Sequence, residues 1–284
     1  MRPVKNSDKK NLMKNKKLKI AFVQNDPNNN AFFENQKPIM TLIERALALD
    51  PDLIMLPEMF LSGPRKISLR NDFCLAYLDF IAALKIKAKQ QGVCFFGSYY
   101  AKTKKRVGAH IPYVNRAFFL NQQGKISGSY DKMHLFSLDG ENKVFASGHK
   151  AKNITTPWGR AAPLICYDIR FPELLRALAC RGAILALVTA QWPASRIDHW
   201  LTLLKARAIE NQIFVIACNR VGKKGELMFN GHSCVISPWG EVLLCLTGKQ
   251  RVGSCLIDLE NVTQIRQAYP FFQDAQTKRF RFDF

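Results

Sequence analysis

Three reactive side chains in this sequence each accompany a short apolar run. Glu58 comes after the run 53–57, Lys132 stands within 130–136, and Cys166 comes directly after 163–165. A carboxylate, an ammonium and a thiol that meet in one pocket can perform acyl transfer. The carboxylate can act as base, the thiol as nucleophile, and the lysine can stabilise the developing oxyanion.

Each of the three also has an ordinary structural explanation. A buried cysteine is commonly a small hydrophobic residue, and loop lysines and strand-end glutamates are commonly solvated. Around Cys166, the connection 168–172 leads from a strand into a helix, and the helix N-terminus, Arg170 and Lys132 would favour thiolate over thiol. The residue types alone leave both interpretations open.

Strand and helix patterns alternate along the chain, and they place the candidate residues at strand ends and in a connecting loop. The predicted helices are 31–49, 72–91, 172–182 and 199–211. The predicted strands are 19–24, 53–56, 93–99, 114–120, 125–130, 161–166, 184–188 and 213–218, followed by a closing antiparallel meander of 233–237, 241–246 and 254–259.

The order of these elements predicts a single α/β domain. No linker rich in Pro, Gly or Ser divides the chain, so the domain extends from about residue 18 to residue 284 and contains two halves, each with a strand-helix-strand unit. Glu58 and Cys166 then occupy equivalent places, beyond the C-terminal end of a buried strand in each half. Ligands of open α/β sheets bind at that edge.

The charge of the chain raises the question of a nucleic-acid partner. The 284 residues carry a formal net charge of +20 and are 48% hydrophobic, which is ample for a buried core. Apart from a basic segment at 1–17 and a cluster of basic residues at 102–106, the charge is spread along the chain. We therefore predict a disordered N-terminal extension over 1–17, a basic hairpin tip, and no nucleic-acid partner. A non-catalytic binder of nucleic acid or membrane surfaces is the remote alternative.

Cysteine usage and hydropathy bear on the compartment. No apolar run approaches the roughly 20 residues that span a bilayer, and the first 19 residues lack the pattern of a secretory signal. The eight cysteines are scattered, with no CxxC pair, as in proteins with reduced, buried thiols. The sequence thus predicts a cytoplasmic protein with no membrane partner, no metal and no organic cofactor.

Several segments, taken together, resemble one known family. The segments 56–60, 130–136 and 166–173 closely resemble the three signature segments of the nitrilase superfamily of carbon-nitrogen hydrolases, in the same order. The resemblance extends to about residues 18–275 through 190–193, 206–212, 218–222 and 231–236. It implies an α-β-β-α sandwich that pairs into a homodimer or higher oligomer, with a small-molecule amide as substrate.

Within the superfamily, the omega-amidase branch is the closest match. The segments 139–148, 170–173 and 265–274 resemble it, which implies release of ammonia from the terminal amide of 2-oxoglutaramate or 2-oxosuccinamate. Two positions depart from the pattern: Gln191 replaces a usual Asn, and His232 stands where an acid is common. An N-carbamoyl amine hydrolase or a nitrilase of the same superfamily remains an alternative.

The resemblance also implies catalytic roles. Glu58 would act as general base and then general acid, Cys166 as nucleophile, and Lys132 with the Tyr167 backbone N–H would stabilise the oxyanion. Glu141 resembles the family's second glutamate, which bonds the lysine; an exposed loop acid is its alternative interpretation.

Substrate recognition calls for a cation and for pocket walls. Arg170, or less directly Arg65, would bind the substrate carboxylate, and Phe136, Gln191 and Trp192 would surround the substrate. A salt bridge from Arg170 to Glu173 or Asp168, and simple core packing of Trp192, stay open. The aromatic ending, which includes Tyr269, Phe271, Phe272, Phe280, Phe282 and Phe284, is too apolar for a free tail and is expected to pack on a second subunit or on the core.

Overall fold

Two β-sheets lie face to face, and helices cover the outer face of each. The structure is a computed structural model that describes residues 16–27, 33–61, 70–107 and 111–274. The first sheet has the strand order β13-β1-β2-β3-β4-β5. Its strands are β1 (Lys17–Gln24), β2 (Leu53–Met55), β3 (Cys94–Val107), β4 (Ile111–Leu120), β5 (Ile126–Asp131) and β13 (Arg251–Asp258).

The second sheet has the order β10-β11-β9-β8-β7-β6, with β12 paired to β11. Its strands are β6 (Ile154–Thr156), β7 (Gly159–Ile165), β8 (Ala183–Ala190), β9 (Phe214–Asn219), β10 (Val221–Lys224), β11 (Leu227–Ile236) and β12 (Val242–Thr247). The helices are α1 (Gln36–Leu47), α2 (Arg70–Gln91), α3 (Pro172–Cys180), α4 (Ile197–Asn211), α5 (Glu260–Ala268) and α6 (Phe271–Asp274). The predicted α-β-β-α sandwich is confirmed.

Alternation along the strands produces two hydrophobic layers. In β1, Ile20 and Phe22 point into the layer between the sheets, whereas Ala21 and Val23 point into the layer beneath α1 and α2. Successive residues of a strand face opposite sides, so a continuous apolar run serves both layers. Because both faces of such strands are buried, the strands are held in place, and so are the strand ends from which the candidate residues emerge.

Local sequence explains where the outer helices begin and end. In α1 the buried residues Ile39, Leu42, Ile43 and Ala46 form one face at helical spacing. Helix α3 begins with Pro172, whose fixed φ suits the first helical position, and ends before Gly182, which has a φ of +89°. Strands β1 and β2 and strands β7 and β8 are parallel pairs, as the two predicted strand-helix-strand units require.

The predicted closing meander is wrong in one respect. Strand β12 pairs with β11, but β13 leaves the second sheet and pairs antiparallel with β1, from Lys17 opposite Asp258 to Gln24 opposite Arg251. Without β13, β1 would expose a full row of unpaired backbone groups at a sheet edge. Apolar periodicity identifies a strand but not its partner. The short strands β6 and β10 were also not predicted.

Several predicted features lie outside the described residues. They include residues 1–15 of the predicted basic extension, residues 31 and 32 of the helix predicted at 31–49, Arg65, the turn 108–110 between β3 and β4, and Phe280, Phe282 and Phe284. The predicted helix start is wrong, because 33–35 form a turn and α1 begins at Gln36. The basic residues 102–106 lie in the last part of β3, before that turn between the strands. The described chain begins at Lys16, and Lys17 is already the first residue of β1. In the described parts of the chain, no helix is long and apolar enough to cross a membrane.

Candidate active site

Glu58, Lys132 and Cys166 line one pocket. Strand β2 ends three residues before Glu58, and β7 ends directly before Cys166, so both side chains emerge at the C-terminal ends of parallel strands. Lys132 follows β5 in the loop that joins the two halves. The structure therefore brings together the three side chains that the sequence suggested.

Lys132 is buried between two carboxylates. Its Nζ donates to Glu58 Oε1 at 2.9 Å and to Glu141 Oε1 and Oε2 at 2.9 and 2.8 Å, and the side chain of Lys132 is only 3% exposed. Burial alone would lower the pKa of Lys132, but the charges of Glu141 and Glu58 together raise it well above its ordinary value. The lysine is thus a fixed cation, and Glu141 is its partner, not a free loop acid.

Asn115 connects the same two carboxylates and was missed by sequence reasoning. It lies fully buried in β4, and its Nδ2 donates to Glu58 Oε1 at 2.7 Å and reaches Glu141 Oε1 at 3.4 Å. Its backbone carbonyl accepts the N–H of Lys132 at 2.9 Å. The available signal was a polar residue inside the otherwise apolar strand, because a buried amide needs hydrogen-bonding partners.

Gln191 anchors Glu58 at two points. The backbone N–H of Gln191 donates to Glu58 Oε2 at 2.9 Å, and its side-chain Nε2 donates to the Glu58 backbone carbonyl at the same distance. The extra methylene relative to Asn is therefore used to reach the backbone of the opposite sheet. The other departure, His232, lies at a bulge of β11 with a φ of +62°.

Cys166 lies in a strained turn that Asp168 stabilises. The φ of Cys166 is +46°, which is uncommon for a residue with a side chain. Asp168 is fully buried; its Oδ2 accepts the Ile165 N–H and the Tyr130 hydroxyl, each at 2.9 Å. Its Oδ1 accepts the His134 N–H at 3.1 Å and lies 2.8 Å from His134 Nδ1. One carboxylate thus joins the Cys166 turn to the loop that carries Lys132.

The surroundings of Cys166 act on its thiol in opposite directions: Lys132 lowers the pKa of the thiol, in the direction that the sequence suggested, but burial raises it. Burial, followed by the charge of Glu58, raises the pKa of the Cys166 thiol well above its ordinary value, and this outweighs the opposing effects of Lys132 and the Gln191 N–H. These surroundings therefore favour the neutral thiol of Cys166 over the thiolate. Attack on a carbonyl requires a base beside it, and Glu58 is the carboxylate in the pocket that Gln191 and Lys132 orient.

The pocket has a volume of about 550 Å³ and walls from both halves of the fold. Phe136, Tyr167, Arg170 and Trp192 line it, as the sequence suggested. Trp192 is also core, since its ring lies 5.5 Å from that of Trp200. Residues that sequence reasoning missed also line it: Asp139, Arg196, Lys224, Leu227 and Phe229.

Arg170 is available to a ligand. Its guanidinium lies 4.8 Å from the centre of the Trp192 ring, and one nitrogen lies 3.3 Å from His199 Nδ1. Neither Asp168 nor Glu173 forms an ion pair with it, and within the described segments no other carboxylate does. The same segments contain no cluster of His, Cys, Asp and Glu that could bind a metal.

Comparison with known proteins connects this geometry to a family. Residues 19–267 match the family model described as carbon-nitrogen hydrolase. The chain is 34% identical over 271 residues to the 2-oxoglutaramate amidase of Bacillus subtilis, covering 92% of this chain and 98% of that protein. It is 36% identical over 230 residues to the omega-amidase YafV of Escherichia coli K12, covering 80% and 86%.

A solved structure agrees with these matches. It is a CN-hydrolase superfamily protein from Xanthomonas campestris that carries an arsenic adduct in its active site. The two folds superpose with a TM-score of 0.82 at 29% identity, covering 94% of this chain and 99% of that one.

Proposed function

Because the chain belongs to the carbon-nitrogen hydrolase family, we propose that it is an omega-amidase that releases ammonia from the terminal amide of 2-oxo acid monoamides such as 2-oxoglutaramate and 2-oxosuccinamate. At the coarser level it is a hydrolase of non-peptide carbon-nitrogen bonds in linear amides. One observation carries the proposal: a neutral thiol, an oriented carboxylate and a buried ammonium share a pocket that also contains Arg170, a cation with no carboxylate partner among the described residues.

The first step is acylation of Cys166. Glu58 takes the thiol proton as sulfur attacks the amide carbonyl, so charge never has to develop on an isolated buried thiolate. The tetrahedral oxyanion is stabilised by the Lys132 ammonium and the Tyr167 backbone N–H. An ammonium has three N–H donors. Three carboxylate oxygens of Glu58 and Glu141 accept from Lys132 Nζ, so the ammonium acts on the oxyanion through its charge and through an N–H that it shares with the oxyanion.

The second step returns the enzyme to its starting state. Glu58 gives its proton to the departing nitrogen, ammonia leaves, and Cys166 remains as a thioester. The same carboxylate then takes a proton from water as the water attacks the thioester carbonyl, and collapse of this intermediate releases the carboxylic acid and the thiol. Glu58 thus passes the thiol proton to the departing ammonia and the water proton to the leaving Cys166 sulfur, which restores the carboxylate and the thiol.

The charge of the pocket supports this substrate class. A 2-oxo acid monoamide carries a carboxylate at the end remote from the amide, and Arg170 is the arginine closest in sequence to Cys166. A guanidinium binds a carboxylate through two parallel hydrogen bonds. Stacking on Trp192 restricts Arg170 without consuming its N–H donors.

A substrate comparison tests the proposal against its nearest alternatives. We expect the purified protein to release ammonia from 2-oxoglutaramate with a kcat/KM well above that for an N-carbamoyl amine or a nitrile of similar size. Preference for either of those substrates would overturn the omega-amidase assignment and leave only the family membership.

We further propose that residues 18–284 form one carbon-nitrogen hydrolase domain that works as a homodimer in the cytoplasm. All eight cysteines are free, and five of them are buried, which suits a reducing compartment. A dimer is supported by the exposed aromatic cluster of Trp239, Tyr269 and Phe271, in which Phe271 is 51% exposed.

A further inference from the structure

Five pocket residues form a closed ring of contacts beside the nucleophile. The Arg170 guanidinium lies 4.8 Å from the Trp192 ring centre, and Trp192 Nε1 donates to the Arg196 carbonyl at 2.7 Å. The Arg196 guanidinium lies 5.5 Å from the Phe136 ring centre, Phe136 meets Tyr167 edge to face at 5.0 Å, and Tyr167 lies 5.9 Å from the Arg170 guanidinium. All five residues line the same pocket.

The ring presents two cations to one cavity. The other charges that line the pocket are paired: Lys132 with Glu58 and Glu141, and Lys224 with Asp139 at 3.0 Å. As far as the described residues go, no carboxylate lies within ion-pair distance of either Arg170 or Arg196. Stacking of a guanidinium on an aromatic ring fixes its plane but leaves its N–H donors for a ligand.

Two guanidinium groups exceed what a simple carboxylate needs. One Arg fork satisfies one carboxylate. A 2-oxo acid adds a carbonyl oxygen next to the carboxylate, so this end of the substrate offers hydrogen-bond acceptors to two guanidinium groups. The corresponding 2-amino acid has an ammonium at the same position, which a guanidinium repels. A saturated acid has neither group there.

We propose that Arg196 is a specificity-determining residue that binds the 2-oxo end of the substrate together with Arg170, and that it excludes 2-amino acid amides such as glutamine. Arg170 pairs with the carboxylate, and Arg196 donates to the 2-oxo oxygen. The inference rests on the proposed function and defines the chemical group at the remote end of its substrate: a carboxylate with a neighbouring carbonyl.

The experiment compares three amides that differ only at carbon 2: 2-oxoglutaramate, glutaric acid monoamide and glutamine. For Arg196→Gln we expect kcat/KM for 2-oxoglutaramate to fall about 10- to 100-fold, mainly through a higher KM, as for a lost charge-assisted hydrogen bond. Hydrolysis of glutaric acid monoamide should change less than about threefold, which also shows that the variant is folded. The preference for 2-oxoglutaramate over glutamine should shrink.

Two further variants sharpen the comparison. Arg196→Lys keeps the charge but loses the planar fork, so it should still reject glutamine while binding 2-oxoglutaramate more weakly than the native chain does. Arg45→Gln removes one exposed arginine from α1, far from the pocket, and should leave all three substrates unaffected.

The outcomes separate the inference from the function on which it rests. Unchanged KM for 2-oxoglutaramate in Arg196→Gln, or an equal fall for all three amides, overturns the role of Arg196 while the omega-amidase assignment stands. A native protein that hydrolyses glutaric acid monoamide but not 2-oxoglutaramate overturns the proposed function itself. Binding of the product 2-oxoglutarate to Cys166→Ala gives an independent measure: weaker binding after Arg196→Gln supports the inference, and equal binding contradicts it.

Discussion

Lys132 and Glu141 form a two-pronged contact, in which the ammonium lies 2.9 and 2.8 Å from the two carboxylate oxygens. Glu141 is itself fixed by the backbone N–H of Phe136, which donates to Glu141 Oε2 at 2.7 Å. The lysine is therefore aimed by a carboxylate that has a fixed position, and a fixed cation needs no reorganisation when an oxyanion forms.

Removal of the Glu141 charge should impair turnover. In Glu141→Gln the ammonium keeps only Glu58 as an anionic partner and is no longer held between two carboxylates. We expect kcat for 2-oxoglutaramate to fall about 10- to 1000-fold with a smaller change in KM, the range seen when oxyanion stabilisation is weakened. Glu173→Gln, at an exposed position in the first turn of α3, is the matched control. Native kcat in Glu141→Gln would contradict a role for this contact.

Loss of the thiol should abolish acyl transfer. Cys166→Ala should release no ammonia above background and should form no covalent adduct at the pocket with iodoacetamide, as read by mass spectrometry of the intact chain. Cys180 is exposed and Cys245 and Cys255 are partly exposed, so the labelling is done in a background in which these three cysteines are replaced by alanine. Ammonia release that survives in Cys166→Ala would exclude the thioester mechanism.

The protonation state of the thiol can be measured directly. Burial and the charge of Glu58 raise the pKa of Cys166. The difference spectrum between the native enzyme and Cys166→Ser should therefore show no thiolate band near 240 nm between about pH 6 and pH 9. Glu58→Gln removes the neighbouring anion, which lowers the pKa of the thiol. Thiolate should then appear at lower pH than in the native chain, although turnover is lost. A thiolate present at neutral pH in the native enzyme would refute this sequence of proton transfers.

The positions of Glu58 and Cys166 are predictable because buried parallel strands appear in the sequence as apolar runs with defined ends. The sandwich itself follows from the family resemblance. The position of Lys132 in the site depends on that resemblance too, since a loop lysine has no periodicity that distinguishes it from solvated ones.

Asn115 and Arg196 show where sequence reasoning fails. Asn115 reaches the site only because β4 lies next to β5 in the first sheet, and Arg196 only because the turn before α4 faces the loop that carries Phe136. Such contacts depend on which strands pair and on how the two sheets stack. The periodicity of one segment gives no information about strand pairing or sheet stacking, as the unexpected pairing of β13 with β1 also illustrates.

Asp168 should affect stability and activity together. Asp168→Asn keeps the shape but turns one acceptor oxygen into an NH₂ donor, which would then face either the Ile165 N–H and Tyr130 hydroxyl or the two His134 groups. An unmade hydrogen bond at a buried group costs about 1–3 kcal/mol, so the thermal midpoint should fall. Because the Cys166 turn and the Lys132 loop both lose their anchor, kcat should fall as well.

Asp198→Asn, in the exposed first turn of α4, is the control for Asp168→Asn. Differential scanning fluorimetry and steady-state ammonia release give the two measures. A variant at position 168 with native kcat and native thermal midpoint would show that the turn at Cys166 is stable without this carboxylate.

The aromatic ending gives a prediction about assembly. The Tyr269 ring packs 4.7 Å from that of Trp239, and its carbonyl accepts a hydrogen bond from Gln212, so this part of the tail is attached to its own subunit. Phe271 continues the cluster but stays half exposed, and an apolar surface of this kind is stabilised when a second copy covers it.

Light scattering, which measures mass in solution, tests this prediction. We expect the full chain, at 32.3 kDa per subunit, to have the mass of a dimer, and a chain cut after Ile265 to have the mass of a monomer. A chain cut after Asp274 retains the cluster and should remain dimeric. If the cut after Ile265 leaves the dimer intact, the cluster is not its interface. If the cut after Asp274 already gives a monomer, the residues beyond 274 contribute the contact instead.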